Sequence, residues 1–326
     1  MVRSGTLHPV ALIIRLLIPY VQLFSTIDKH NVLPKNTYNM DEKGLMIGKI
    51  KQHHRIFTQK SLVNGRVLGV NEDGNREWIT LMATICADGT WGRLLLIYPS
   101  AAHALQDTWL TGVDYTQHNV SFSATASGWT NDELGLRWLQ NFEVWSRDKL
   151  DNPNKDWRLL IADGHGSHVT LKFFEICYQK RIILAVFPPH ATHRLQPLDV
   201  GMFRPFAMKY SMNLDQWVND RLGLCKFSKR EFFTVFWPSF LQSFTEKNIK
   251  SAWEKSGIWP RDSGKIVKVV DGSGVTTTYS RPSTAHSGCS TVSIHAYIRV
   301  RRKVRFALVG ISDEMASMVS DLFDSY

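Results

Sequence analysis

The chain has 326 residues, 44% hydrophobic and 21% charged, a composition that fits one large folded domain or two ordinary ones and excludes a mainly disordered chain. Lys and Arg number 39 against 29 Asp and Glu, a formal net charge of +10, which favours polyanionic partners, nucleic acid before acidic membrane. Cys86, Cys177, Cys225 and Cys289 lie far apart with no C-x-x-C pair, so neither a zinc knuckle nor a disulfide framework is signalled and a reducing compartment is the simplest reading.

In chain order, residues 10–24 are apolar but interrupted by Arg15 and Pro19. A bilayer span takes roughly 20 mostly apolar residues, and no small-residue cleavage site follows. A buried or irregular segment is expected, with no membrane association. Residues 36–41 read as a short strand ending in an acid. Glu77–Ala87 is rich in β-formers and runs into an Ala-Asp-Gly turn; Leu94–Tyr98 follows as a third strand, stopped by Pro99. The three suggest a meander.

The period then changes. Thr130 to Glu133 has capping-box spacing, and Leu134, Trp138, Phe142 and Trp145 follow on one helical face. After the polar loop Asp151–Asp156, Trp157–Ala162 reads as a buried strand, residues 167–181 as a helix, and Ile182–Phe187 as another buried strand, halted by Pro188 and Pro189. Asp199 follows, near a helix expected to settle only beyond Pro205. A second capping box, Ser228 to Glu231, opens an aromatic-rich helical region to about Gly257. Trp138, Trp145, Trp217, Trp237 and Trp253 read as packing residues. This order predicts an α/β fold with a mixed five-stranded sheet flanked by helices. Of the 23 residues from Asp271 to Ser293, 15 are Gly, Ser, Thr or Pro, which reads as a flexible linker. The expected organisation is an N-terminal segment (1–27), a main domain (28–262) and a low-complexity linker with a basic, flexible C-terminal tail (263–326).

Three carboxylates sit where elements end, beside glycines or prolines: Asp41, Asp163 and Asp199. A side chain at a strand end is held by the sheet yet faces open space. Hard divalent cations such as Mg²⁺ take oxygen ligands, few of them from protein, and two such ions stabilise both attacking and leaving oxygens in phosphoryl displacement. Three acids on a basic chain therefore make a coherent nuclease site.

The surrounding motifs sharpen this. Tyr38-Asn-Met-Asp-Glu-Lys-Gly44, the run from Leu159 to His168 and the run from Phe187 to Gly201 resemble the three acidic motifs of the DDE-type transposases. The branch they resemble is pogo/Tigger-like (fungal-type), described as a DDE superfamily endonuclease domain. The stretches Gly74–Trp78, Cys86–Gly89, Gly128–Leu134 and Ala252–Pro260 are similar to that branch too, and 35 residues lie between Asp163 and Asp199, a familiar separation there. The resemblance spans about residues 28–262. It implies an RNase H-like fold, with Asp41, Asp163 and Asp199 as catalytic residues and as ligands of two Mg²⁺ or Mn²⁺ ions. It also implies cleavage of a DNA strand by a metal-activated water, attack of the freed 3′-hydroxyl on target DNA, DNA as partner, a homo-oligomer on DNA, and a nuclear location. No small-molecule cofactor and no nucleophilic Ser, Cys or Tyr is expected. Full-length members carry helix-turn-helix modules upstream; residues 1–27 show no such pattern, so a catalytic domain separated from its sequence reader is expected.

Other residues are weighed beside these. Glu42 neighbours Asp41, but adjacent side chains on a strand face opposite sides, so it reads as a solvent or salt-bridge residue. His165 and His168 follow Asp163, and His190 and His193 precede Asp199; they are candidates for holding loop backbone or contacting phosphate. From Lys49 to Arg66 the chain carries Lys49, Lys51, Arg55, Lys60 and Arg66 with no acid, a stretch suited to tracking a DNA backbone. The run from Arg299 to Arg305 suits nuclear import or a further phosphate contact. Two readings from other classes stay open: a catalytically inactive remnant that binds nucleic acid or protein, and a zinc or manganese phosphohydrolase using the His-rich loops, with Asp163, His165 and His168 as a candidate ligand set. There is no P-loop, no dinucleotide-binding glycine motif, no H-E-x-x-H and no G-x-S-x-G.

Overall fold

The computed structural model describes residues 23–47, 77–163, 170–187, 195–222, 225 and 227–262. Six strands form the sheet: β1 (Thr37–Met46), β2 (Trp78–Cys86), β3 (Leu94–Pro99), β4 (Val120–Thr125), β5 (Arg158–Ala162) and β6 (Ile182–Val186), in the spatial order β4-β3-β2-β1-β5-β6. β1, β2 and β3 pair antiparallel as a meander. β5 joins the other edge of β1 in parallel and β6 extends it, while β4 lies parallel to β3. An antiparallel meander continued by parallel strands on the far side of the first is the RNase H-like arrangement.

Both faces of the sheet are covered, which is why β2 and β5 read as near-continuous apolar runs. On β2, Ile79, Leu81, Ala83 and Ile85 face one layer, and Met82 and Cys86 face the other. On β5, Leu159 and Ile161 alternate with Leu160 and Ala162 in the same way. The second layer is α1 (Asp132–Arg147) and α2 (Leu171–Gln179), which bury Trp138, Phe142, Phe173 and Cys177. The first layer is α3 (Phe203–Asp220), α4 (Lys229–Ser243) and α5 (Glu246–Ser256). There Phe206, Phe232, Phe236 and Phe240 are fully buried in a run of ring contacts that includes Phe206 with Phe236 and Phe236 with Phe240. Each such side chain contributes on the order of 2 kcal/mol. Residues 23–30 are helical, and Leu23 and Ile27 join this same core.

Several local expectations shift. The sheet gains β4, an edge strand whose alternating serines left its pattern faint. β1 continues to Met46, well past Asp41. Helix α1 is capped by Asn131, whose side chain accepts from the Leu134 N–H at 2.9 Å; among the described residues the buried Thr130 hydroxyl has no partner. Helix α3 does not wait for Pro205. It runs directly out of a π-helical turn, Leu198–Met202, and Pro205 falls in its first turn, where a missing N–H is tolerated. The aromatic region divides into α4 and α5 at Phe244–Thr245. Ser228 and Glu231 form the expected capping box on α4, and Gly257, with φ 71°, ends α5 in the left-handed region. Trp138, Trp217 and Trp253 are buried, and Trp145 and Trp237 pack against the two cores.

Candidate active site

The three aspartates arrive from three directions. Asp41 lies on β1, on the face shared by alternation with Asn39 and Leu45, toward the α3–α5 layer; it is 7% exposed. Its Oδ1 accepts the Glu42 N–H at 2.8 Å. Asp163 follows the last residue of β5. The β1–β5 register pairs Thr37 with Leu159 and Asn39 with Ile161; Asp163 lies just past the end of this ladder, close enough for its carboxylate to act on Asp41. Asp199 comes from the opposite layer, on the π-helical turn that leads into α3. Asp163 and Asp199 are half-buried.

Asn39 binds these segments together. Fully buried, its Nδ2 donates to Ile161 O at 3.1 Å, to Gln196 Oε1 at 3.0 Å and to Met40 O at 3.3 Å. Its Oδ1 accepts from the Leu198 N–H at 2.9 Å. Gln196 is also fully buried, and among the described residues its Nε2 has no partner. Neither residue stood out in the sequence. The available signal was an asparagine, a poor strand former, set inside a strand two residues before an acid on the same face. The turn is fixed from its other side by Gly201, whose α-carbon lies against Ala252 of α5 so closely that an added Cβ would stand 2.4 Å from the alanine Cβ.

Burial, and then the carboxylates of Asp199 and Asp163, push the Asp41 carboxyl well above the usual carboxylate range; the Glu42 N–H works in the opposite direction. Both other aspartates thus act on Asp41, and Glu42 adds a weaker repulsion. Such a donor set, all carboxylate oxygen, suits Mg²⁺ or Mn²⁺. Among the described residues, no three His, Cys, Asp or Glu side chains converge on a single ion position. Lys43, two residues past Asp41 on the same face, sets its ammonium 5.6 Å from the Phe203 ring centroid.

The remaining candidates, His165, His168, His190, His193, Lys49, Lys51, Arg55 and Lys60, lie outside the described residues, as do Arg66 and the run from Arg299 to Arg305.

Comparisons with known proteins add the lineage. Over 243 residues the chain is 31% identical to a Cochliobolus lunatus protein named MFS-type transporter clz9. That alignment covers 74% of this chain and 25% of the relative, so the chain spans about a quarter of that protein's length. Among the described residues no helix is long and apolar enough to cross a membrane. Solved structures with some likeness include a pre-cleavage Mos1 transpososome (TM-score 0.42, 13% identity, 80% of this chain and 65% of that one). The catalytic domain of Mos1 mariner transposase is another (TM-score 0.36, 12% identity, 80% and 98%). The sequence model of the DDE superfamily endonuclease family matches residues 75–253, a span that contains Asp163 and Asp199 and begins after Asp41. With more than half of its length matched, the chain belongs to the DDE superfamily endonuclease family.

Proposed function

We propose that this chain is a metal-dependent DNA strand-cleaving and strand-transferring domain of the pogo/Tigger-like branch, with Asp41, Asp163 and Asp199 as its catalytic carboxylates. The observation that supports the reading is the Asn39 side chain, which bonds the Asp41 strand to Ile161, two residues before Asp163, and to Leu198, next to Asp199, with both of those carboxylates adding to burial in raising the Asp41 pKa. Two Mg²⁺ or Mn²⁺ ions, when bound, supply charge stabilisation to the attacking and leaving oxygens of the phosphodiester. The chain's own residues do the rest. Asp41 on β1 and Asp163 just past the end of β5 form one wall of the proposed site, and Asp199 completes it from the π-helical turn. The formal charge of +10 draws DNA to the surface, and the work of such a protein on chromosomal DNA implies a nuclear location.

The test is direct. Purified protein nicks supercoiled DNA when Mg²⁺ or Mn²⁺ is added and not in chelator, and Asp163→Asn loses the activity. Equal nicking by that variant overturns the reading. Salt-sensitive DNA binding with no metal-dependent cleavage by the wild-type chain supports instead the non-catalytic, nucleic-acid-binding alternative.

A further inference from the structure

We infer that Asn39 is a positioning residue: it holds the segments bearing Asp41, Asp163 and Asp199 in the register that metal binding needs. This rests on the functional reading above and extends it to a residue that touches neither the ions nor DNA.

The geometry is specific. Asn39 stands two residues before Asp41, and its partner Ile161 stands two before Asp163. Its partner Leu198 immediately precedes Asp199, and Gln196 stands three before it. One carboxamide therefore reaches all three acid-bearing segments at the point where each turns into the site. Backbone pairing joins β1 to β5 without it. The segment from Gln196 to Leu198 enters from the helical layer, and its hydrogen bonds to the Asn39 side chain tie it to β1. An apolar residue would fill the same volume, but only a group that donates and accepts at once can bond a carbonyl, a side-chain oxygen and an N–H together. A fully buried amide in a strand is otherwise disfavoured, and here three of its four side-chain hydrogen bonds reach the segments that carry Asp163 and Asp199. Groups that hold metal ligands in place typically change metal affinity or activity 10–100-fold when removed.

Binding is read separately from catalysis. Mn²⁺ uptake is titrated by the electron paramagnetic resonance of the free ion for wild type, Asn39→Ala, Gln196→Met and Asp163→Asn, with a thermal midpoint for each. The expected result is uptake by wild type, its loss in Asp163→Asn, and a Mn²⁺ dissociation constant raised roughly 10–100-fold in Asn39→Ala. Gln196→Met keeps the volume and removes one acceptor; it weakens uptake by roughly threefold to tenfold and carries the test if Asn39→Ala does not fold. In DNA nicking, the Mg²⁺ concentration for half-maximal rate rises in parallel, while DNA affinity in chelator stays at the wild-type value. Wild-type Mn²⁺ affinity in both Asn39→Ala and Gln196→Met, or in either folded variant alone, overturns the inference and leaves the catalytic reading standing. No uptake by wild type, or equal uptake by Asp163→Asn, overturns the catalytic reading and the positioning role with it.

Discussion

Gly201→Ala is a substitution whose sign the structure reverses. At an ordinary helical position this change favours the helix by about 1 kcal/mol. At Gly201 the new Cβ would stand 2.4 Å from the Ala252 Cβ, 2.6 Å from its Cα and 3.5 Å from its nitrogen. Carbon atoms rest at about 3.5–4.0 Å, so the π-helical turn and α5 must separate by about 1 Å. Because the Cα and nitrogen are α5 backbone, no rotamer change absorbs the clash. Overpacking of this kind costs about 1–3 kcal/mol or more, and a net loss of about 2 kcal/mol lowers the thermal midpoint by roughly 4–8 °C. Asp199 sits two residues earlier on the same turn, and a misplacement of that size reduces the nicking rate by about 10²-fold. Differential scanning fluorimetry and the supercoiled-plasmid assay read the two effects. Ala252→Gly removes the 2.4 Å contact but leaves the Cα at 2.6 Å, so the double variant recovers only part of each. A Gly201→Ala protein as stable and as active as wild type refutes the argument.

Other predictions follow from particular contacts. Arg158, 2% exposed, donates to Glu143 O at 3.0 Å, to Ser146 Oγ at 2.8 Å and to Lys180 O, and lies 3.7 Å from the Glu143 carboxylate. Arg158→Met strands these acceptors, and urea unfolding is expected to show a loss of about 3–5 kcal/mol. Asn131→Ala removes the α1 cap and costs about 1 kcal/mol, whereas Thr130→Val, at a hydroxyl with no partner among the described residues, leaves the urea midpoint unchanged or raises it. The raised Asp41 pKa makes the folded state hold that proton more tightly than the unfolded chain does. The resulting stabilisation is full below the unfolded value of about 3.9 and is lost as pH rises through the higher folded value. In chelator, the thermal midpoint of wild type relative to Asp41→Asn therefore falls with rising pH; a flat difference contradicts the assignment.

What the sequence made legible, and what it hid, follows from the range of the interactions. β2, β3 and β5 are runs of β-formers ended by Gly, Asp or Pro, and the Ser228 cap lies within four residues of its partner; both signals are local. The acids were visible because each stands beside chain-turning residues. β4 was faint because its serines face the half-exposed edge of the sheet. The α1 cap was misplaced by one residue because Thr130 and Asn131 are both good caps, and tertiary packing chose between them. The Asn39 bonds cross 122, 157 and 159 residues, and no local pattern encodes them. Arg158 is similar: within Trp157–Ala162 it looks like a polar interruption, and its acceptors lie on α1 and at the end of α2.

The seam between the π-helical turn and α5 has a consequence for where the proposed chemistry is vulnerable. Two of the carboxylates travel with the sheet, and the third travels with a helical layer that meets α5 at Gly201 and Ala252. Under the proposed function, a bulkier residue at that joint displaces Asp199 while all three acids remain in the sequence. Counting carboxylates is therefore an incomplete test of competence for that function, and the small residues at the joint belong in that test.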